Sequence, residues 1–394
     1  MKSLRPALLL LVASTAGTAA PNLSPLASPP DWSSLNEYQQ SITREDFLFL
    51  LEEVYAPFGA WKGVIRVDAT TARVETRPGE DPFVLRFAQP GQPVQPVTRF
   101  WRAKAQLGPR TAAKPLLGVR IAIDPGHIGG SYAKMEERWF QIGDSKPVTE
   151  GDMTLAVSRL LTPRLEALGA TVFVTRRTTA PTTSLRATRL LGEARTALRD
   201  RGRLVTRKSV QDESERLFYR VAEIRKRAEI VNKQFKPDVV ICLHFNAESW
   251  GDPDNPTLVD KNHLHFLVSG AFSEGELTYE DQRFEMLDKL LSRIFREELA
   301  VTESVAASMA KATGLPAFVY LGPNAVKVGS SPFVWARNLL ANRLYRCPVV
   351  FLEPYVMNSQ PVFKRVQAGD FEGKQAVDGK MQESIFREYA RGIV

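Results

Sequence analysis

The sequence predicts an α/β protein: a mostly parallel sheet covered by helices on both faces, preceded by a small N-terminal α+β module. Two observations lead to this class. Continuous apolar runs recur along the later part of the chain, and segments with helical spacing of apolar residues separate them. Apolar runs without alternation are typical of strands buried on both faces, and helices between them are the crossovers of a parallel sheet.

Five strands and three helices are predicted from this pattern. The strands cover 119–123, 171–175, 238–243, 263–268 and 348–352, and the helices cover 152–168, about 213–234 and 279–300. In sheets of this kind the working site lies beyond the carboxyl ends of the strands. Residues that directly follow the apolar runs are therefore the first candidates for function.

The N-terminal part of the chain differs in composition and in its pattern of apolar residues. Lys2 and Arg5 precede a short apolar stretch and a run of small residues, which is typical of a secretory signal peptide over 1–20. A loose leader is expected over 21–36, because this segment is rich in Pro, Ser and Asn. A helix and three short alternating runs predict the α+β module over 37–112, either a binding domain or a brace for the main domain over 113–394.

Charge and cysteine content restrict the partners. The formal net charge of +8 favours anionic partners. For an exported protein these are wall polymers or lipid headgroups; no nucleic-acid partner is expected, and no apolar run is long enough for a permanent membrane span. Cys242 and Cys347 each lie in an apolar run, which favours two buried free thiols; a disulfide stays open as an alternative because export allows oxidation.

Polar side chains follow three of the predicted strands. His127 follows the first, His244 the third and Glu353 the last, and Glu150 stands at the start of the first helix. Two His and one carboxylate form a common ligand set for catalytic zinc, which leaves a position for water. A second carboxylate must then move the proton of that water, and Glu353 is placed to do so.

Each of these residues also has a purely structural interpretation. His127 lies in a Pro-Gly turn, where it satisfies backbone groups, and Glu150 is a carboxylate at a helix start, where Thr149 and Asp152 resemble a capping box. Their joint position at one sheet edge favours the functional interpretation. His263 and His265 face the same side of a strand and either line a groove or are ordinary hydrogen-bonded histidines.

Four segments carry a resemblance to a known family. The segment IAIDPGHIGG resembles the opening signature of the zinc-dependent N-acetylmuramoyl-L-alanine amidases of the type-3 class. Three later segments are similar to the following blocks of that family, in the family's order: EGDMTLAVSRLLTPRLEALGATVFVTR, RAEIVNKQFKPDVVICLHFNAES and VVFLEPYVMNS. The resemblance covers roughly 117–360.

The resemblance implies both an activity and a site. Zinc would be bound by His127, Glu150 and His244, with Glu353 as the catalytic acid/base. The substrate would be peptidoglycan, hydrolysed at the amide between N-acetylmuramic acid and L-alanine in the periplasm or cell wall. Two alternatives stay open: a zinc peptidase or deacetylase acting on another bond of the same polymer, and a non-catalytic wall-binding protein or activator that retains the fold.

The sequence departs from the family pattern in three places. The stretch between His127 and Glu150 is long and carries a charged, aromatic insertion over 135–140, and Pro354 replaces the glycine that usually follows the catalytic glutamate. These changes are expected to alter the groove wall. An arginine-rich helical insertion over about 178–222 is either a solvated excursion or a lid that pairs with Glu136 and Glu137 or holds anionic polymer.

Overall fold

The computed structural model describes residues 22–394, so the predicted signal peptide over 1–20 lies outside the described part of the chain. The predicted fold class is confirmed. A seven-stranded, mostly parallel sheet is flanked by helices, and a small antiparallel sheet stands before it. Among the described residues, no helix combines the length and the apolarity that crossing a membrane requires.

The strands are short and are numbered in chain order. They are β1 (Ile65–Val67), β2 (Thr71–Val74), β3 (Phe83–Arg86), β4 (Arg120–Pro125), β5 (Trp139–Phe140), β6 (Val148–Thr149), β7 (Thr171–Val174), β8 (Val239–Leu243), β9 (Gly251–Asp252), β10 (Asn255–Pro256), β11 (Leu264–Val268), β12 (Val326–Lys327), β13 (Val334–Ala336), β14 (Val349–Pro354), β15 (Lys374–Val377) and β16 (Lys380–Glu383).

The α-helices are numbered in the same way. They are α1 (Arg44–Leu50), α2 (Glu150–Ala167), α3 (Leu191–Asp200), α4 (Arg207–Arg216), α5 (Glu223–Ile230), α6 (Glu274–Leu277), α7 (Glu280–Leu291), α8 (Ile294–Thr313), α9 (Leu340–Leu344), α10 (Gln360–Ala368) and α11 (Ile385–Ile393). A wider helical turn at Leu217–Ala222 joins α4 to α5, and a second one at Val231–Phe235 extends α5 at its carboxyl end.

The strand order of the main sheet brings the candidate residues to one edge. The order is β12-β13-β11-β14-β8-β4-β7, and β4, β7, β8 and β14 run parallel. Pro125 and Leu352 both pair with Leu243, so the three strands that precede the candidates end side by side. Strand β11 runs the opposite way and places His265 directly across from Glu353.

The N-terminal module and the main sheet share one hydrophobic core. Leu35, Tyr55 and Phe87 are buried in the same cluster as Phe266 and Val268 of β11. Two backbone hydrogen bonds join the same parts, because the N–H groups of residues 271 and 272 donate to the carbonyls of residues 54 and 55, each at 2.7 Å. The module therefore packs against the main domain through both side chains and backbone.

The leader is better ordered than its composition suggested. Ser24 donates its N–H to Asp281 Oδ1 at 2.8 Å, and residues Trp32–Tyr38 form a short 3₁₀ helix. The helix predicted over 279–300 is two helices, because Arg293 adopts a left-handed conformation with φ 55° and separates α7 from α8. Cys242 and Cys347 are buried and free.

Candidate active site

Three side chains present ligand atoms to one small volume at the sheet edge. One ligand atom from each of His127, Glu150 and His244 lies within 4.8 Å of the other two. His127 Nε2 is 3.2 Å from Glu150 Oε2, and His244 Nδ1 is 3.1 Å from Glu150 Oε1. Two imidazole nitrogens and one carboxylate are a donor set that fits zinc and leaves a coordination position for water.

The turn after β4 lets the two histidines approach each other. His127 itself has φ 58°, and the preceding Gly126 faces the His244 ring so closely that any Cβ there would overlap it. The imidazole rings are 5.2 Å apart between centroids, in an edge-to-face arrangement. Glycine is therefore required at position 126 for the two imidazole rings to come this close.

Glu150 is the first residue of α2 and is held by its neighbours. Its N–H donates to the carbonyl of Arg138, and its Oε1 accepts the N–H of Phe245 at 3.1 Å. The expected capping box is not formed in its usual way: Thr149 Oγ1 donates to Asp152 Oδ2 at 2.7 Å, and that oxygen also accepts the N–H of Gly130. The pair thus ties the helix start to the loop after His127.

Two buried arginines fix the backbone around the ligands. Arg176, which follows β7, donates to the carbonyls of Pro125, Gly126 and Gly151. Arg227 on α5 donates to the carbonyl of His127 at 2.7 Å. A buried carbonyl without a donor destabilises a fold, so a change in the backbone that breaks these hydrogen bonds is costly. The two arginines therefore hold the segments that carry His127 and Glu150 in one geometry.

Asp124 anchors the second of these arginines. Its carboxylate accepts hydrogen bonds from Arg227 at 3.1 Å, Thr175 Oγ1 at 2.7 Å and Tyr345 OH at 2.6 Å. Burial would raise the pKa of Asp124, but the charge of Arg227 and these hydrogen bonds lower it. The aspartate of the DPGH turn therefore supports the site from behind and takes no part in the ligand cluster.

Glu136 is a functional candidate that the sequence did not reveal. Its carboxylate lies 3.6 Å from His127 Nδ1 and accepts the N–H groups of Ile128 and Gly129 at 2.8 and 2.9 Å. Its exposed fraction is 1%. A carboxylate behind a ligating histidine fixes the tautomer and orientation of the ring. The insertion over 135–140 therefore reaches the back of the His127 ring, beyond the groove wall that it was expected to alter.

Arg138, in the same insertion, contacts the third ligand. Its Nε lies 3.1 Å from Glu150 Oε2. Burial would raise the pKa of Glu150, but His127, His244 and Arg138 together lower it to about 2. Glu150 is consequently ionised at neutral pH, which is the state in which a carboxylate can bind a metal.

The two histidines differ in their tendency to hold a proton. Burial lowers the pKa of His127, although Glu150 and Glu136 oppose the shift. Burial also tends to lower the pKa of His244. Its hydrogen bond with Glu150 and the negative charge of Glu353 outweigh burial, so the pKa of His244 is raised. The His244 ring is stacked on Phe351 of β14 at 4.5 Å between centroids, which fixes its plane.

Glu353 lines the same groove as the ligands without belonging to their cluster. The groove has a volume of about 420 Å³ and is lined by the three ligands, Glu353 and Trp250 among others. Burial raises the pKa of Glu353 to about 7; Glu150 adds to the rise and His244 opposes it. A carboxyl group with a pKa near neutrality can both accept and donate a proton.

The strand histidines are hydrogen-bonded and stand apart from the cluster. His265 Nε2 is 3.0 Å from Tyr320 OH, and His263 lies 3.4 Å from Asn246 and 3.5 Å from Glu248. Burial lowers the pKa of His265 to about 3, so its ring is neutral. The structure supports their interpretation as ordinary strand histidines.

The arginine-rich insertion touches the site only at its end. Arg201 and Arg216 pair with Glu213 inside the insertion, at 2.5 and 2.6 Å. Arg220 approaches Glu137 at 4.0 Å, as proposed for a lid. Pairing with Glu136 was also expected and is wrong, because Glu136 is buried against His127.

Comparison with known proteins identifies the family. The family model for N-acetylmuramoyl-L-alanine amidases matches residues 121–378, so the chain belongs to that family. The predicted activity is confirmed: the protein is an enzyme that hydrolyses the amide between N-acetylmuramic acid and L-alanine in peptidoglycan. None of the curated proteins compared with the chain matches it.

Solved structures of several amidases are remotely similar. The N-acetylmuramyl-L-alanine amidase Ami1 from Mycobacterium abscessus is 16% identical over 70% of this chain and 95% of its own, with a TM-score of 0.38. The N-acetylmuramoyl-L-alanine amidase AmiC2 of Nostoc punctiforme is 14% identical over 70% of this chain and 92% of its own, with a TM-score of 0.36.

Proposed function

We propose that His127, Glu150 and His244 bind one zinc ion and that Glu353 is the catalytic acid/base of the amidase. The observation that carries the proposal is the convergence of three ligand atoms within 4.8 Å, on elements that lie far apart in the sequence. Glu353 supports it from the neighbouring strand end, where it faces the same groove with a pKa of about 7.

The chain's own residues supply the proton movements. A zinc ion held there would make a bound water acidic near neutral pH and polarise the attacked carbonyl. Glu353 accepts a proton from the attacking water and passes it to the departing nitrogen of L-alanine. Glu136 keeps the proton of His127 on Nδ1, so that Nε2 presents its lone pair to the metal.

Export and wall binding complete the proposal. The signal-peptide pattern over 1–20 supports export to the periplasm or cell wall, where peptidoglycan is the substrate. The net charge of +8 supports retention by other anionic wall polymers. Binding of such polymers would weaken steeply as salt is added, because the attraction is electrostatic.

Mass spectrometry of digested peptidoglycan tests the proposed centre. Purified wall treated with the protein should release stem peptides that begin with L-alanine. A chelator should abolish this release, and added Zn²⁺ should restore it. Shortened stems would instead indicate a peptidase, and loss of acetyl groups would indicate a deacetylase. Undiminished release after removal of all bound metal would refute the zinc centre.

A further inference from the structure

Two cavities of opposite character meet at the proposed catalytic centre. The groove described above has Trp250 in its wall, and a crevice of about 620 Å³ adjoins it at the catalytic centre. The crevice runs between the leader, the end of the insertion, α5 and the segment before α9. His127, His244 and Glu353 line both cavities, so a substrate bond held there has one side in each.

The two cavities differ in charge. Seven arginines and four carboxylates line the crevice, whereas two arginines and four carboxylates line the groove. Three of the crevice carboxylates are already bound to other groups: Asp124 to Arg227, Glu136 beside His127, and Glu276 to Ser273. Five of the seven arginines are in turn bound to carboxylates: Arg138, Arg216, Arg225, Arg227 and Arg343. The positive charge that remains for a ligand is therefore carried by Arg337 and Arg220, next to the catalytic centre.

Arg337 is placed where the two cavities join. Its Nη1 donates to Tyr320 OH at 3.2 Å, and its guanidinium lies over the Tyr320 ring at 5.5 Å. Tyr320 is held in turn by His265 at 3.0 Å. Within residues 22–394, no carboxylate lies within 4 Å of the guanidinium nitrogens of Arg337, so the group is anchored while most of its donors stay free.

Arg220 is the second arginine of the crevice with available donors. Its side chain is 48% exposed, and its nearest carboxylate is Glu137 at 4.0 Å. By contrast, Arg216 and Arg343 are bound to Glu213 and Glu285. Arg337 and Arg220 are thus the crevice arginines whose N–H groups are most available to bind an anionic group of a ligand.

We propose that the crevice receives the peptide stem and that Arg337 and Arg220 bind its carboxylates, while the sugar occupies the groove beside Trp250. This inference rests on the proposed function. Before hydrolysis the lactyl carboxyl of the sugar is part of the amide, so the free carboxylates of the substrate lie on the peptide side. The cationic cavity and the anionic half of the substrate therefore correspond.

Paired substrates test this assignment. One is a soluble muropeptide with free peptide carboxylates, and the other is the same molecule with those carboxylates converted to amides. Wild-type enzyme should prefer the free acid through a lower KM. In Arg337→Gln the ratio of kcat/KM between the two substrates should fall about ten- to a hundredfold, as expected for charge-assisted hydrogen bonds. Arg220→Gln should reduce the ratio less, because this side chain is more exposed.

Matched variants and a binding measurement separate the outcomes. Arg337→Lys should recover part of the preference, and Arg195→Gln, an exposed arginine on α3, should retain it. Calorimetry with the free L-alanyl peptide and its amidated form should show the same preference in binding. Equal wild-type rates and affinities for both forms would overturn the inference while the amidase function stands. A fall in kcat alone on both substrates in Arg337→Gln would overturn it as well. If wild-type enzyme released no stem from either muropeptide, the proposed function itself would fail.

Discussion

The two insertions in this amidase differ in what they do for the catalytic centre. The stretch over 127–150 is the shorter, yet it places Glu136 behind His127 and Arg138 against Glu150. The block over 178–222 is longer and builds a core largely of its own, in which Leu198 and Phe218 pack with Ile128. We therefore expect the shorter stretch to affect the catalytic centre more than the longer one, because its side chains contact His127 and Glu150.

Two adjacent glutamates, Glu136 and Glu137, illustrate this difference. Glu136 has an exposed fraction of 1% and contacts His127, whereas the side chain of Glu137 is 73% exposed and lies 4.0 Å from Arg220. The following experiments compare the effects of substitutions on zinc binding and activity, from the proposed ligands to Glu136 and then Glu137.

The largest effect is expected for the histidine ligands. His127→Ala or His244→Ala removes one of three ligands, so zinc content and activity should both be lost. Metal content of the purified variants and release of stem peptides measure the two quantities. Full zinc occupancy in either variant would show that the ligand assignment is wrong.

Glu353→Gln should lose turnover and keep the metal. A positioned acid/base contributes about 10²–10⁴-fold in rate, and glutamine cannot carry the proton. The measurement pairs kcat on a soluble muropeptide with zinc content of the same sample. Loss of zinc would instead make Glu353 a ligand and require a different base.

Glu136→Gln should have an intermediate effect. Loss of a partner behind a ligating histidine costs about 10–100-fold in metal affinity or activity. Competition with a chromophoric chelator would give the zinc affinity, and activity at saturating Zn²⁺ would show how much of the loss is binding. An affinity equal to that of the wild type would remove the distinction between the two insertions.

Glu137→Gln should have the smallest effect and serves as the matched control. Exposed ion pairs contribute about 0–1 kcal/mol, and this pair is 4.0 Å long. Zinc affinity and the free energy of unfolding in urea should therefore stay close to wild type. A loss of affinity as large as that of Glu136→Gln would show that the outer part of the insertion also supports the metal.

The sequence was sufficient for five of the seven strands of the main sheet and for the residues at its edge, whereas the short strands β12 and β13 were not predicted. Apolar runs located β4, β8 and β14, and the topology of parallel sheets then implied that His127, His244 and Glu353 lie together. Such inferences succeed because a strand buried on both faces appears in the sequence as a continuous apolar run. The residues that follow the run then mark the carboxyl end of the strand.

No sequence pattern predicted the residues that contact the proposed ligands from behind, such as Glu136. The pairing of Glu136 with His127 depends on a loop whose backbone turns at Glu137, with φ 55°, and no Gly or Pro marks that turn. The break between α7 and α8 has the same cause at Arg293. Left-handed residues other than glycine are stabilised by tertiary contacts, which a single sequence does not display.

Because the N-terminal module shares a hydrophobic core with the main sheet, we expect the described chain to unfold as one cooperative unit. A shortened protein beginning at residue 113 would keep every proposed catalytic residue, yet it would expose the face of β11 and leave the N–H groups of residues 271 and 272 without their partners. Unpaired backbone groups and uncovered apolar side chains both favour unfolding and aggregation. We therefore expect the main domain over 113–394 to fold poorly without the module that precedes it.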